Sequence, residues 1–239
     1  MTSADPTLLK RAAALKALDF VQDGMKLGLG TGSTAEAFIE VLGPRVRGGL
    51  TITAAATSER TAQKARSLGI PLASLDQLAP LDLTIDGADE ADRSLNLIKG
   101  GGGALLREKI VAASSKRMVV IADASKLVRR LGRFPLPVEV AEFGHASTAA
   151  RIAQAAAALG YPDVPINLRL SDNAPFKSDG GNLIYDCAFG AIKNAAKLAS
   201  ALSAIPGVVE HGLFIGLATA LVIARSTERV DLIERKTHA

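Results

Sequence analysis

The chain of 239 residues has little of what usually crosslinks a protein or binds a metal, with one cysteine and three histidines far apart in the sequence. Cys187 alone cannot form an internal disulfide, which favours a reducing compartment. Because His145, His211 and His238 lack metal-ligand spacing, we expect no bound metal. We therefore expect the packed core alone to stabilise the fold.

Long apolar runs are missing too. The longest, LFIGLATALVIA at 213–224, is well short of the roughly 20 residues that span a bilayer, and we interpret it as a buried strand and helix. The segment at 1–21 has neither a basic stretch ahead of a continuous apolar core nor a small-residue cleavage site, so it does not resemble a signal peptide. These absences predict a cytoplasmic protein without membrane contact.

Charge is evenly distributed, with a net value of +4 and no run of one sign. The densest basic stretch, KLVRRLGR at 126–133, has no interleaved aromatics and no zinc or helix-turn-helix signature. We therefore expect no nucleic-acid partner, and a small anionic substrate fits the charge equally well. With 48% hydrophobic and 22% charged residues, the composition is that of an ordinary globular protein with a sizeable core.

Strand and helix patterns alternate through the first half. The predicted strands are 25–30, 50–57, 81–90 and 117–123, and the predicted helices are 8–21, 34–43, 58–69 (with Ser58 as N-cap) and 103–115. Since the strands are apolar on both faces, the fold class is α/β, with a parallel sheet covered by helices on both faces.

The order changes after PLP at 135–137 to strand, helix, strand, strand, helix, strand, which is typical of a split ferredoxin-like unit. We therefore place a small α+β domain at 130–207, between the two parts of the main domain at 1–129 and 208–239.

A glycine-bearing turn, GLGTGSTA at 28–35, joins the first strand to a helix, where backbone N–H groups favour an anion such as phosphate. Gly30, Gly32 and Ala35 also fit the relaxed dinucleotide fingerprint G-x-G-x-x-A. The acidic residue of that fingerprint is missing, since Glu59 lies past the second strand. The hydroxyls of this turn favour a terminal phosphate or a sugar, and a simple tight turn is the alternative.

Three further loops carry polar residues. DGADE at 86–90 is explained by a turn with an N-cap, or by polyol binding, proton shuttling or a divalent ion. The four glycines of KGGGG at 99–103 cost backbone entropy, which indicates close backbone approach beside the charge of Lys99. DASK at 123–126 follows another strand and contains Lys126, and a lysine at such a position is ordinarily a surface residue. If all these loops follow strands of one sheet, they form one polar anion site at its carboxyl edge.

Eight motifs together resemble the ribose-5-phosphate isomerase A family in their order and spacing. They are GLGTGSTA, TSERT, DGADE, IKGGGGALLREKI, IADASK, GRFPLPVEV, SDGGNLIYDC and IPGVVEHGLF. The resemblance covers nearly the whole chain. It implies reversible isomerisation of ribose 5-phosphate and ribulose 5-phosphate in the pentose phosphate pathway, without metal or organic cofactor. It also implies a Rossmann-like main domain of the isomerase and CoA-transferase kind, a small α+β domain, and a homodimer or homotetramer.

The resemblance also implies site residues. Glu108, which by itself is most simply a solvated helical residue, becomes the proton acceptor that moves hydrogen between C1 and C2 through an enediolate. The implied substrate-binding residues are Thr31, Gly32, Ser33, Thr34, Asp86, Gly87, Ala88, Asp89, Lys99, Gly100, Gly101, Gly102 and Lys126. By the same resemblance, Lys10 corresponds to a lysine that we expect near the substrate phosphate.

The chain departs from the family at two places. SDGGN at 178–182 stands where TDNGN is common, and the segment at 224–239 lacks the usual glycine-containing turn, which leaves its local structure open. Two other functions also stay open: a sugar-phosphate sensor without catalysis, and a dinucleotide-dependent oxidoreductase.

Overall fold

The computed structural model describes residues 5–235, so His238 lies outside the described residues. The helices are α1 (Pro6–Ala17), α2 (Ser33–Arg47), α3 (Glu59–Ser67), α4 (Leu75–Leu78), α5 (Leu105–Ala113), α6 (His145–Ala158) and α7 (Ala195–Ser203). The strands are β1 (Lys26–Leu29), β2 (Thr53–Ala56), β3 (Leu83–Asp86), β4 (Glu90–Ala91), β5 (Leu97–Ile98), β6 (Met118–Asp123), β7 (Leu136–Val140), β8 (Ile166–Leu168), β9 (Leu170–Ser171), β10 (Ala174–Pro175), β11 (Leu183–Cys187), β12 (Val208–His211), β13 (Leu213–Phe214), β14 (Ala220–Ala224) and β15 (Val230–Glu234).

A six-stranded sheet in the order β15-β14-β6-β3-β1-β2 forms the centre of the fold. Its strands pair in parallel, except that β15 runs antiparallel to β14. The predicted α/β class with a mainly parallel sheet is therefore confirmed. The predicted N-cap of α3 is also present, because the Ser58 side chain accepts a hydrogen bond from Thr61 N.

Both faces of this sheet are covered. Val119 and Ile121 of β6 pack in one core with α1 and α2, whereas Val120 and Ala122 pack in another with α5 and the short strands β4, β5 and β13. Successive side chains of a strand point to opposite faces, which is why one strand contributes to two cores. The second face differs from the expectation in one respect: a three-stranded sheet, β13-β5-β4, covers part of it instead of a helix.

A second, antiparallel sheet has the order β12-β7-β11-β8 and packs against α6 and α7 through Ile152, Ala156, Leu198 and Leu202. This is the strand order of a ferredoxin-like unit, as the pattern predicts. Because β12 pairs with β7, a boundary drawn by sheet membership falls after His211, and not at 207. The division into two domains otherwise stays a prediction.

The interpretation of 213–224 as a strand and a helix is wrong. The segment forms two strands, β13 and β14, and β14 pairs with β6 and β15 with all five residues buried. A short apolar run buried on both faces has no periodicity that separates a strand from a helix, so only the tertiary pairing decides. No helix within residues 5–235 is long and apolar enough to cross a membrane.

The C-terminal hairpin forms without a glycine. Ser226 Oγ accepts hydrogen bonds from the backbone N–H groups of Glu228 and Arg229, which closes the turn between β14 and β15. A serine side chain that bonds to backbone two or three residues ahead is a common substitute for a glycine turn.

Candidate active site

A cavity of about 130 Å³ lies at the carboxyl ends of β1, β3 and β6. The residues that line it are Lys10, Thr31, Gly32, Ser33, Thr34, Gly87, Ala88, Asp89, Lys99, Gly100, Gly101, Gly102, Glu108 and Lys126. Of the residues that the sequence predicts for the site, only Asp86 is not part of the lining. It lies behind the wall, with no exposed surface.

The expectation that all four loops follow strands of one sheet is wrong for 99–102. This loop follows β5, which belongs to the three-stranded sheet. The pair β4 and β5 is antiparallel, so β5 returns the chain to the edge where β3 ends. Two-residue strands are too short to show a pattern in the sequence, which is why the strand assignment missed them.

One end of the cavity is suited to an anion. Gly32, at a φ of 103°, leads into α2, and no side chain caps this helix. Its first N–H groups therefore carry the partial positive charge of the helix dipole without a capping acceptor. Lys10 donates to Ser33 Oγ at 2.9 Å, and Lys126 lines the same cavity. Two ammonium groups and a helix N-terminus together match the charge of a phosphate.

A second group in the wall is a buried ammonium between two carboxylates. Lys99 Nζ lies 2.9 Å from Asp86 Oδ2 and 3.2 Å from Glu108 Oε1, and it donates to Gly87 O at 2.7 Å. None of these three side chains is more than 5% exposed. Glu108 Oε2, in contrast, has no hydrogen-bond partner among the described residues. The carboxylate thus has one oxygen held by Lys99 and one buried oxygen without a partner.

Burial shifts the ionisation of this cluster. Burial raises the pKa of Glu108 to about 8. The negative charge of Asp86 raises this pKa further, whereas the positive charge of Lys99 lowers it. Burial also raises the pKa of Asp86, again opposed by Lys99. The pKa of Lys99 is raised, because the two carboxylates outweigh its own desolvation. Glu108 is therefore a carboxyl group that takes up and releases a proton near neutral pH.

The two aspartates of DGADE have different surroundings. Asp86 is paired with Lys99 beneath the cavity, whereas Asp89 lines it and accepts from Gly101 N through Oδ2 at 2.8 Å. Because the cation between the buried carboxylates is an ammonium group, a divalent ion has no place there. No cluster of three or more metal-ligating side chains occurs among residues 5–235.

The glycine run is required for several separate reasons. Gly100 and Gly103 have φ values of 102° and 79°, where a side chain is strained. A Cβ on Gly101 would lie 2.6 Å from Asp89 Oδ1, and one on Gly103 would lie 2.4 Å from the Phe176 ring. The close approach predicted from the run is therefore confirmed, and the approaching groups are the protein's own side chains.

Three hydroxyl residues near the turn at 28–35 were missed as contributors to the site. Thr31 Oγ1 bonds to the hydroxyls of Thr57 (2.7 Å), Ser58 (2.8 Å) and Thr61 (3.1 Å). The Thr31 hydroxyl thus fixes the loop against α3. These three residues stand in TSERT, directly after β2, so the motif itself was the available signal.

The end of β2 also bears on the dinucleotide alternative. Thr57 and Ser58 stand there instead of the acidic residue that binds a ribose in dinucleotide sites. Glu59 is paired with Arg107 at 2.9 Å and is not part of the cavity lining.

Comparison with known proteins gives one consistent result. A family model described as ribose 5-phosphate isomerase A (phosphoriboisomerase A) matches residues 53–228. The chain is 58% identical to ribose-5-phosphate isomerase A of Parvibaculum lavamentivorans over 225 residues. The aligned region covers 94% of this chain and 97% of that protein. The chain is also 58% identical over 216 residues to the protein of that name from Brucella suis, covering 90% and 93%.

Solved structures show the same likeness. A D-ribose-5-phosphate isomerase in complex with phospho-erythronic acid superposes with a TM-score of 0.89 at 36% identity, covering 97% of this chain and all of that one. Ribose 5-phosphate isomerase A from Neisseria gonorrhoeae gives a TM-score of 0.88 at 37% identity, with 98% and 100% covered.

Proposed function

The chain belongs to the ribose 5-phosphate isomerase A family, and from this premise we propose how its cavity carries out the reaction. The protein interconverts ribose 5-phosphate and ribulose 5-phosphate in the pentose phosphate pathway. The reaction moves a hydrogen between C2 and C1 and leaves the overall oxidation state unchanged. It therefore needs a proton acceptor and stabilisation of an enediolate, and no electron acceptor.

The substrate phosphate binds at the N-terminus of α2. The N–H groups of 33–35 and the Ser33 and Thr34 hydroxyls hold it there, beside the Lys10 ammonium that donates to Ser33 Oγ. Lys126 lines the same cavity and adds a second positive charge. Phospho-erythronic acid, the ligand of one similar structure, combines a phosphate with a carboxylate. The cavity lining likewise contains an anion-binding helix N-terminus and a separate cation, the Lys99 ammonium.

Glu108 transfers the proton. It takes the proton from C2 of the open-chain aldose while the C–H electron pair forms the C1–C2 double bond and the carbonyl electrons move to O1. The carboxyl group then returns the proton to C1 as O2 loses its own proton and becomes the carbonyl oxygen. The unpartnered Oε2 and a pKa near neutrality support this role, because an efficient general base has a pKa close to the working pH.

The enediolate oxygens face Lys99 and the glycine loop. The charge of Lys99 and the Gly102 N–H stabilise the negative charge that develops on O1. Asp89, which lines the cavity, accepts the proton of O2 and delivers one to O1. Asp86 does not contact the substrate in this scheme; it holds Lys99 in position through the 2.9 Å ion pair.

One observation carries this assignment: Glu108 is a buried carboxylate on the cavity wall with one oxygen held by Lys99 and the other free of partners. The test is a metal-free assay of ribose 5-phosphate conversion with the native chain and with Glu108→Gln, which keeps the shape and removes the base. We expect kcat of the variant to fall by about 10²-fold or more. Absence of ketose with the native chain would support the sensor alternative, and near-native activity of the variant would remove Glu108 from the mechanism.

We propose a homodimer or homotetramer as the assembly. The support is a set of exposed large apolar side chains: Phe143, 96% exposed, and Leu8 and Leu15 of α1, both about half exposed. Light scattering coupled to size-exclusion chromatography tests this directly, and a monomer mass across the working concentration range would contradict it.

We propose the cytoplasm as the compartment. Cys187 is a free, buried thiol, and an unpaired cysteine is typical of proteins in a reducing compartment. Fractionation of the source cells with antibody detection tests it, and recovery outside the cytoplasmic fraction would contradict it.

A further inference from the structure

Arg169, between β8 and β9 of the small domain, reaches the glycine loop of the active site. Its Nη1 donates to Gly100 O at 2.8 Å and to Gly101 O at 3.2 Å. The rest of the guanidinium forms a two-point pair with Asp186, with Nε at 2.9 Å from Oδ2 and Nη2 at 2.5 Å from Oδ1. One planar group thus connects a small-domain carboxylate to two consecutive carbonyls of the loop.

These contacts orient the peptide groups of the loop. In a trans peptide the C=O and the following N–H point in opposite directions. With the carbonyls of Gly100 and Gly101 directed at Arg169, the N–H groups of Gly101 and Gly102 point away from it. Gly101 N accordingly reaches Asp89 of the cavity lining. Gly102 also lines the cavity, and its N–H has no acceptor among residues 5–235.

The guanidinium is itself held in place. Asp186 binds two of its nitrogens, and the centroid of the Phe176 ring lies 5.8 Å from Arg169 Cζ. The same Phe176 ring contacts Gly103 at the end of the loop. Arg169 is mostly buried, with 14% of its side chain exposed. A group restrained on several sides retains its orientation during a reaction without further entropy cost.

We propose that Arg169 is a positioning residue for the isomerisation: it fixes the peptide planes of 100–102 so that the Gly102 N–H is already directed at the enediolate oxygen. The inference rests on the proposed function of the cavity. Since the proposed phosphate site is the N-terminus of α2 and not the loop at 100–102, loss of Arg169 affects the transition state more than substrate binding. A lysine cannot replace it, because one ammonium group cannot bind both carboxylate oxygens and both carbonyls in one plane.

The test compares native enzyme with Arg169→Ala, Arg169→Lys and the double variant Arg169→Met/Asp186→Asn, which leaves no unpaired carboxylate. Arg225→Ala is the matched control, since it removes another arginine–aspartate pair, the one with Asp231 in the C-terminal hairpin, and Arg225 does not line the cavity. Each is assayed for kcat and KM with ribose 5-phosphate, well below its melting temperature. Arg169→Ala is also assayed with added millimolar guanidinium, below denaturing concentrations.

We expect kcat of all three Arg169 variants to fall by about ten- to a hundredfold, with KM within about threefold of native, because one pre-oriented donor typically contributes at least that much. Guanidinium restores part of the kcat of Arg169→Ala and leaves Arg225→Ala unchanged. Native kcat in folded Arg169 variants, or a loss without rescue that follows only the melting temperature, would overturn the inference. Glu108→Gln, run in parallel, separates the outcomes. An inactive native enzyme overturns both proposals, whereas Arg169 variants with native kcat beside an inactive Glu108→Gln overturn only this one.

Discussion

Lys99 Nζ and Asp86 Oδ2 form an ion pair of 2.9 Å in which neither side chain is more than 2% exposed. In other proteins, removing one partner of a buried ion pair typically costs about 3–5 kcal/mol, because the remaining buried charge has no compensation. Here Lys99 keeps Glu108 as a second partner at 3.2 Å. The loss on removing Asp86 is therefore smaller than for an isolated pair.

The first prediction concerns this pair. Asp86→Asn lowers the free energy of unfolding by about 1–3 kcal/mol, since Lys99 retains one carboxylate. It also lowers the pKa of Glu108, because the Asp86 charge contributes to raising it. Urea unfolding and the pH dependence of kcat/KM measure the two effects. Asp82→Asn, which removes the half-buried partner of the exposed Lys116, is the control, and equal losses in both variants would contradict the ion-pair explanation.

The second prediction is the pH–rate profile. Glu108 must be ionised to accept a proton, and its pKa is raised to about 8. The kcat/KM of the native enzyme therefore rises with pH, most steeply between about 7 and 9. Measurement at constant ionic strength above the second ionisation of the substrate phosphate, near pH 6, isolates this group. A profile that is flat from pH 7 to 9 is the contradicting result.

The third prediction links catalysis to stability. Glu108 binds its proton more tightly in the folded chain, where its pKa is about 8, than in the unfolded chain, where it has the ordinary value of 4.5. Between these values the folded state holds a proton that the unfolded state has released, so stability falls as pH rises. Glu108→Gln removes this loss, and its melting temperature exceeds that of native protein by more at pH 8 than at pH 5. An equal difference at both pH values would show that Glu108 titrates normally.

The fourth prediction concerns the anion end. Lys10→Ala and Lys126→Ala each raise KM for ribose 5-phosphate by roughly tenfold, because a charge-assisted hydrogen bond contributes about 1.5–3 kcal/mol. The kcat changes less, since the phosphate is bound equally in the ground and transition states. Lys177→Ala, which disrupts a surface pair with Glu142, is the control with native KM. An unchanged KM in Lys126→Ala removes that lysine from the phosphate site.

The sequence predicted the central architecture well, because strand and helix periodicities are local. Ser58 was placed correctly as a cap, and the carboxyl-edge loops after β1, β3 and β6 were identified from their polar residues. The errors lie where the local pattern of apolar residues does not distinguish a strand from a helix or is too short to show a period. The buried run at 213–224 fits a helix as well as strands, and the two-residue strands β4 and β5 are shorter than any periodicity.

The amino-acid sequence by itself determined which residues are available for chemistry: a glutamate behind a glycine run, lysines near strand ends, and hydroxyls at a helix N-terminus. Only the tertiary structure decided which of them meet. It placed Asp86 beneath the cavity and Asp89 on its wall, although the two stand three residues apart. It also brought Lys99 from the three-stranded sheet and Arg169 from the small domain to one loop. Such distances depend on how separate sheets pack, and no short stretch of sequence encodes that packing.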